Sequence, residues 1–257
     1  MYAERASARG RTAVVTGGAR GIGLATAQAL CEFGARVVLA GPNEDRLATS
    51  AETLAGNGHD VRHAVLDVTD AMACEALSDR LDVELGGIDI LIANAGIAWE
   101  DTAAEDVPDD VWRRVIDVNL NGTFWTCRAF GRPMLSRHKG AVVIVGSMSG
   151  LISNRPQRQV AYNASKAGLH HLARSLAGEW ASRGVRVNVV APGYVDTDMS
   201  NVTVKDPYFG DRWMDGTPMR RMLLPEEVAS ANLFLATDAS SGMTGSVLVV
   251  DGGYTIW

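Results

Sequence analysis

The chain has 257 residues, 47% hydrophobic and 21% charged, which suits a folded globule with a large core and excludes a disordered or low-complexity chain. Its formal charge is −6, and its basic residues cluster only in pairs such as Arg113-Arg114 and Arg220-Arg221, so no nucleic-acid partner is expected. Three cysteines outside any CxxC pair do not make a disulfide framework, and five histidines without HExxH or His/Cys spacing give no metal site.

The first eleven residues are polar, with no signal-peptide core, and no apolar run approaches the ~18 residues that cross a bilayer. A cytoplasmic protein without a membrane partner is expected. Short Val/Ile-rich runs then alternate with helical spacing along the whole chain. Strands are expected at Thr12–Thr16, Arg36–Ala40, Val61–Leu66, Ile88–Ala93, Ala141–Val145, Val185–Val190 and Ser246–Val250. Helices are expected at Ile22–Phe33, Glu44–Ala55, Ala71–Leu85, Asp109–Val118, Gly122–Arg137, Tyr162–Arg183 and Pro225–Ala236. Glycines stop several of them, as Gly34 and Gly184 do. Such alternation predicts one α/β domain over 1–257, a doubly wound, seven-stranded parallel sheet covered by helices on both faces. The stretch Thr197–Leu224 lacks periodicity and reads as a mobile substrate loop.

Thr16-Gly17-Gly18-Ala19-Arg20-Gly21-Ile22-Gly23 follows the first strand and opens the first helix. Glycines there allow a tight turn, and a helix N-terminus offers N–H donors to a pyrophosphate. The second strand ends Ala40-Gly41-Pro42-Asn43, with glycine where an acid would accept the ribose 2′-hydroxyl of NAD. Arg20, Asn43 and Arg46 could reach a 2′-phosphate, so NAD and NADP both stay open. Asp67, beside Val68 after the third strand, is placed to accept from an adenine amine or to cap the next helix. Asn94-Ala95-Gly96 lies after the fourth strand, where backbone passes close to the ribose.

The most specific signal is Tyr162-Asn163-Ala164-Ser165-Lys166. At i and i+4 the phenol and the ammonium share a helix face. A nearby cation favours phenolate, which lowers the phenol's pKa and makes it usable for proton transfer. Ser147 and Ser149 follow the fifth strand at the sheet's carboxyl edge, where a hydroxyl can meet a substrate oxygen. Asn119 sits inside a helical stretch that does not favour asparagine.

Taken together, TGGARGIG, Asn94-Ala95-Gly96, Asn119, Ser147, YNASK and Pro192-Gly193 resemble the short-chain dehydrogenase/reductase family over essentially the whole chain. The resemblance implies a hydride transfer between NAD(P) and an alcohol or ketone. Tyr162 would be the acid/base, and Lys166 would tune it and hold the nicotinamide ribose. Ser147 would polarise the substrate oxygen, and Asn119 would keep a water that links Lys166 to solvent. Pro192, Gly193, Val195 and Thr197 would line the carboxamide. The Ser147–Tyr162 interval exceeds the family's commonest one. Its insert, with Asn154-Arg155-Pro156, and the C-terminal DGGYTIW resemble the bacterial polyol (galactitol-type) branch. That branch implies a polyol or vicinal diol substrate, bound with help from Ser149 and Asn154, and NAD as the commoner cofactor. Alternatives are an NADPH-dependent carbonyl or 3-ketoacyl reductase and a nucleotide-binding scaffold without turnover. The family also implies a homotetramer that pairs Gly122–Arg137 and Tyr162–Arg183 across a twofold axis.

Overall fold

The computed structural model describes residues 1–200 and 206–257. Seven strands form one sheet, β1 (Thr12–Thr16), β2 (Arg36–Gly41), β3 (Val61–Val65), β4 (Ile90–Ala93), β5 (Gly140–Val145), β6 (Val185–Pro192) and β7 (Val247–Val250). Their spatial order is β3-β2-β1-β4-β5-β6-β7, and every pairing is parallel. The order reverses between β1 and β4, which opens a crevice at the strands' carboxyl ends.

Strand residues alternate between two cores, as a period of two requires. Val14, Val38, Leu91, Val142, Ile144 and Val187 pack on one face with α4 (Ala71–Leu85), α6 (Gly122–Ser136) and α7 (Val160–Trp180). Ala13, Val15, Leu39, Ile92, Val143 and Val145 pack on the other with α2 (Gly21–Glu32), α3 (Glu44–Gly56) and α9 (Pro225–Ala236). Burial on both faces is why these strands read as continuous apolar runs.

Four features depart from the sequence expectation. A short helix, α1 (Tyr2–Ala6), precedes β1. The helices expected at Asp109–Val118 and Gly122–Arg137 form one continuous run, α5 (Asp109–Ile116) passing through a π turn at Asp117–Asn121 into α6. Strand β6 continues two residues further, to Pro192, which pairs in register with Val250.

The fourth departure concerns the expected substrate loop, which contains a ten-residue helix, α8 (Pro207–Gly216). Asp206 caps it by accepting from Tyr208 N at 2.9 Å. Pro207, Gly210 and Gly216 masked this helix in the sequence. Its Trp213 is buried in a cluster with Met148 and Tyr194, which are distant in sequence, and Phe209 and Met214 of the same helix pack on that cluster. Residues 201–205 of that expected loop lie outside the described residues.

Candidate active site

The glycine-rich turn shows why small residues are needed. Gly17 has φ +62°, and a Cβ on Gly23 would lie 2.2 Å from the Gly17 carbonyl oxygen. Asn94 Nδ2 ties this turn to β4 by donating to Thr16 O at 3.0 Å and Gly17 O at 3.1 Å. Thr16 Oγ1 accepts from the backbone N–H groups of Asn94 and Ala95 at 3.0 and 3.1 Å. Arg20, at the N-cap of α2, gives no side-chain cap. The first-turn N–H groups of a twelve-residue helix therefore face the crevice without a side-chain acceptor. That arrangement suits a pyrophosphate.

The chemical end lies beyond the carboxyl ends of β4, β5 and β6. A cavity of about 740 Å³ gathers Arg20, Ile22, Asn94, Gly96, Ser147, Ser149, Asn154, Tyr162, Lys166, Pro192, Gly193, Val195 and Thr197. Ser147 is buried and caps a one-turn 3₁₀ segment; its Oγ donates to Ser149 Oγ at 3.0 Å and accepts from Ser149 N at 3.1 Å. Lys166 is buried, donates from Nζ to Val145 O at 3.0 Å, and sits 5.5 Å from the Tyr162 ring centroid. Desolvation lowers its pKa to about 8.

The sequence expectation for Tyr162 reverses here. Its phenol is raised above the ordinary value because burial penalises phenolate, and the Ser147 side chain opposes only part of that rise. Burial sets the direction for the phenol, and the neighbouring ammonium points at a carbonyl.

Asn119 is fully buried and braces three elements. Its Oδ1 accepts from Ile97 N at 2.8 Å, while Nδ2 donates to Ile97 O at 2.9 Å and to Ser165 Oγ at 3.1 Å. The π turn aims this side chain at the loop after β4, a role the sequence reading, which gave it a water, did not include. Gly96 keeps the site tight, since a Cβ there would meet Asn119 Oδ1 at 3.3 Å and Lys166 Nζ at 3.6 Å.

The adenine-end residues are separate from that cavity. Gly41 ends β2 in register with Val65, and a Cβ there would meet only Leu47 Cδ2, at 3.8 Å. Asp67 accepts from Thr69 N at 2.9 Å and Thr69 Oγ1 at 2.7 Å, which holds its pKa below the usual carboxylate value. The helix-cap alternative for Asp67 falls to Asp70, which accepts from Met72 N and Ala73 N. Val68 is buried beneath Gly122.

On the far wall the sequence pointed to Asn154, Tyr194 and the 197–224 segment but not to Gln157 or Gln159. Tyr194 and Trp213 stack with centroids 4.0 Å apart. Gln157 Oε1 accepts from Trp213 Nε1 at 2.8 Å, and Gln157 Nε2 donates to Tyr194 OH at 3.0 Å. Gln159 Nε2 donates to Ser149 Oγ at 3.3 Å. Asn154 is buried, reaches Tyr194 OH through Nδ2 at 3.4 Å, and leaves its Oδ1 unpaired among the described residues. No periodicity announces Gln157, Gln159 or Trp213, because they come from irregular segments and α8.

Among the described residues no group of His, Cys, Asp and Glu could hold a metal, and no helix is long and apolar enough to cross a membrane. The family described as enoyl-(acyl carrier protein) reductase matches residues 17–255. Galactitol 2-dehydrogenase of Rhizobium johnstonii is 50% identical over 256 residues, covering 100% of this chain and 99% of that protein. A short-chain type dehydrogenase/reductase from Mycobacterium marinum superposes with TM-score 0.95 at 38% identity, covering 99% of each chain. A gluconate 5-dehydrogenase from Burkholderia cenocepacia, solved with NADP and tartrate, superposes with TM-score 0.96 at 33% identity over the full length of both.

Proposed function

Because the chain belongs to the short-chain dehydrogenase/reductase family, an oxidoreductase family acting on alcohol groups with NAD(P), we propose that it interconverts a polyol or vicinal diol and its ketone. One observation carries this reading: a partly buried phenol and a buried serine and lysine share a cavity with the hydroxyl- and amide-rich wall of Ser149, Asn154, Gln157 and Gln159. Such a wall rewards substrates that carry several hydroxyls, and it penalises analogues that leave those groups unpaired.

The residues fit a dinucleotide. The Gly17–Gly23 turn would hold its pyrophosphate, Asp67-Val68 its adenine, Asn94, Ala95 and Gly96 its ribose, and Pro192, Gly193, Val195 and Thr197 its carboxamide. Gly41 would stand beside the adenine ribose. When bound, NAD(P) would supply the hydride acceptor for the alcohol's oxidation and the hydride donor for the ketone's reduction. Tyr162 takes the hydroxyl proton in oxidation and returns it in reduction. Ser147 donates to the substrate oxygen as negative charge gathers there. Lys166 places a cation 5.5 Å from the Tyr162 ring centroid, where it favours the ionised phenol, and Asn119 braces the loop after β4. The net oxidation is secondary alcohol plus NAD(P)⁺ to ketone plus NAD(P)H and one proton.

Gly41 offers no carboxylate to the 2′-hydroxyl. The galactitol-type resemblance favours NAD, and the NADP complex of the gluconate 5-dehydrogenase keeps NADP in the test. The reading extends to one domain over 1–257 with a substrate segment near 197–224, a homotetramer and a cytoplasmic location. Light scattering tests the assembly; a monomer at micromolar concentration refutes it.

The test is a panel of hexitols, diols and simple ketones with each cofactor, beside Tyr162→Phe. Loss of the acid/base is expected to cut kcat by roughly 10²–10⁴-fold while cofactor binding, read by fluorescence, persists. Full activity in Tyr162→Phe refutes the acid/base assignment, whereas cofactor binding without turnover of any substrate in the wild type returns the chain to a nucleotide-binding role. The apolar side of the cavity, with Trp99, Met199 and Phe209, favours a second reading, an NADPH-dependent carbonyl or 3-ketoacyl reductase. Turnover of bulky apolar ketones without polyol turnover decides for it.

A further inference from the structure

The cavity wall carries a charge arrangement that the polyol chemistry above does not need. Arg158 lines the cavity between Gln157 and Gln159, and its guanidinium is held by both oxygens of Asp101. Asp101 Oδ2 accepts from Arg158 Nη2 at 2.6 Å and from Nε at 3.2 Å, while Oδ1 accepts from the Arg158 backbone N–H at 2.5 Å. Glu105 lies near enough to add its field to the same guanidinium. The other cations of this wall are also committed. Arg20 pairs with Asp198 at 3.3 Å, and Lys166 donates to Val145 O. Glu100 and Asp206 add further carboxylates to the lining. Among the described lining residues, no cation is without a carboxylate or carbonyl partner.

The fold itself admits sugar acids, as the gluconate 5-dehydrogenase above shows for that protein. A substrate carboxylate needs a cation to replace its lost hydration, and a guanidinium is the side chain best shaped for it. We propose that Asp101 is a specificity-determining residue: by chelating Arg158 it removes the one cation placed to receive a sugar acid's carboxylate, so the pocket selects neutral polyols over aldonates. This rests on the polyol reading and adds its substrate class. The discrimination is built by repulsion as well as by an unmet need. An aldonate that reached this part of the wall would place its carboxylate beside Asp101, whereas a hexitol leaves a neutral hydroxymethyl group there.

The pair also staples two loops, since Thr102 N donates to Arg158 O at 3.2 Å. Asp101→Asn separates the two roles. It keeps an oxygen for the Arg158 N–H and a similar shape, while it removes the charge and turns the oxygen that accepts from the guanidinium into a donor, which releases that guanidinium. The measurement is kcat/KM for a set of hexitols and for the matching hexonates, in wild type, Asp101→Asn, and Asp101→Asn with Arg158→Gln, at low and high salt.

Wild type is expected to prefer hexitols. Asp101→Asn is expected to raise the hexonate-to-hexitol ratio of kcat/KM about tenfold, a modest gain because Arg158 is exposed and screened. Added salt should shrink the gain, and Arg158→Gln should abolish it. A ratio that stays put in Asp101→Asn, or that rises equally with Arg158→Gln present, overturns the proposal and leaves a structural staple. Wild-type turnover of hexonates as good as that of hexitols overturns the filter but keeps the polyol reading. Turnover of neither class overturns both.

Discussion

Gly146 is the hinge between β5 and the serine turn, and Gly146→Ala tests how that turn is held. A Cβ at this position would lie 2.7 Å from His170 Nε2 and 2.7 Å from Val189 Cγ1. Against a contact distance near 3.5 Å, the methyl intrudes by about 0.8 Å on both sides. Neither neighbour can retreat easily. Val189 lies in β6, and the His170 ring is also pressed against Gly150, where a Cβ would meet its Cε1 at 2.6 Å. Overpacking of this kind costs about 1–3 kcal/mol. For a chain of this size that is a Tm lower by about 3–10 °C. The strain is most easily relieved by moving the residue that follows, which is Ser147. A 1 Å misplacement of such a group costs about 10²-fold in rate. Thermal unfolding and steady-state kinetics on Gly146→Ala read both effects, with the loss expected in kcat more than in KM. Adding His170→Ala frees one side of the methyl and should return part of the loss, as a coupling of about 0.5–3 kcal/mol. Gly178→Ala is the control, because its methyl in α7 meets nothing within 4 Å; it should stabilise by about 0.4–1 kcal/mol. Wild-type Tm and kcat in Gly146→Ala would refute the wedge and the positioning argument built on it.

Asn119→Ala removes three hydrogen bonds and leaves the Ile97 N–H and C=O without that partner; a stability loss of about 1–3 kcal/mol is expected by denaturant titration, with lower kcat. The raised pKa of Tyr162 means that phenolate becomes about tenfold more abundant per pH unit below it. Log kcat/KM for alcohol oxidation should therefore climb with a slope near 1 and flatten above about pH 8, where Lys166 sheds its proton, while ketone reduction stays level over the climb. An oxidation profile that falls with pH contradicts this assignment. The depressed pKa of Lys166, about 8 folded against ~10.4 unfolded, penalises stability fully below pH 8 and releases the penalty as pH rises between those values. Lys166→Met should flatten that upward trend in Tm. Gly41→Asp should shift cofactor preference toward NAD, because a Cβ fits there and a carboxylate would meet a 2′-phosphate unfavourably; unchanged kcat/KM ratios for NAD and NADP would place the 2′ determinant elsewhere.

Periodicity made the seven strands legible, because each must bury residues on both faces, and the glycine-stopped helices that alternate with them followed from the same pattern. Spacing likewise put Tyr162 and Lys166 on one face of α7. The π turn at Asp117–Asn121 was not legible, since its residues keep a helical repeat on either side. Helix α8 was hidden because Pro207, Gly210 and Gly216 weaken its helical signal, and Trp213 is held by Tyr194 and Gln157, which come from other segments.

The sequence by itself determined the alternation of elements, the phosphate turn and the residue types available for proton transfer, because these depend on neighbours within about a helical turn. Only the tertiary structure decided how those groups titrate and what surrounds them. Burial depends on atoms brought from β5, α7 and the loops around them, and it turned the expected fall in the Tyr162 pKa into a rise. The Asp101–Arg158 pair joins residues 57 positions apart, and a charge filter of that kind exists only once the chain has closed.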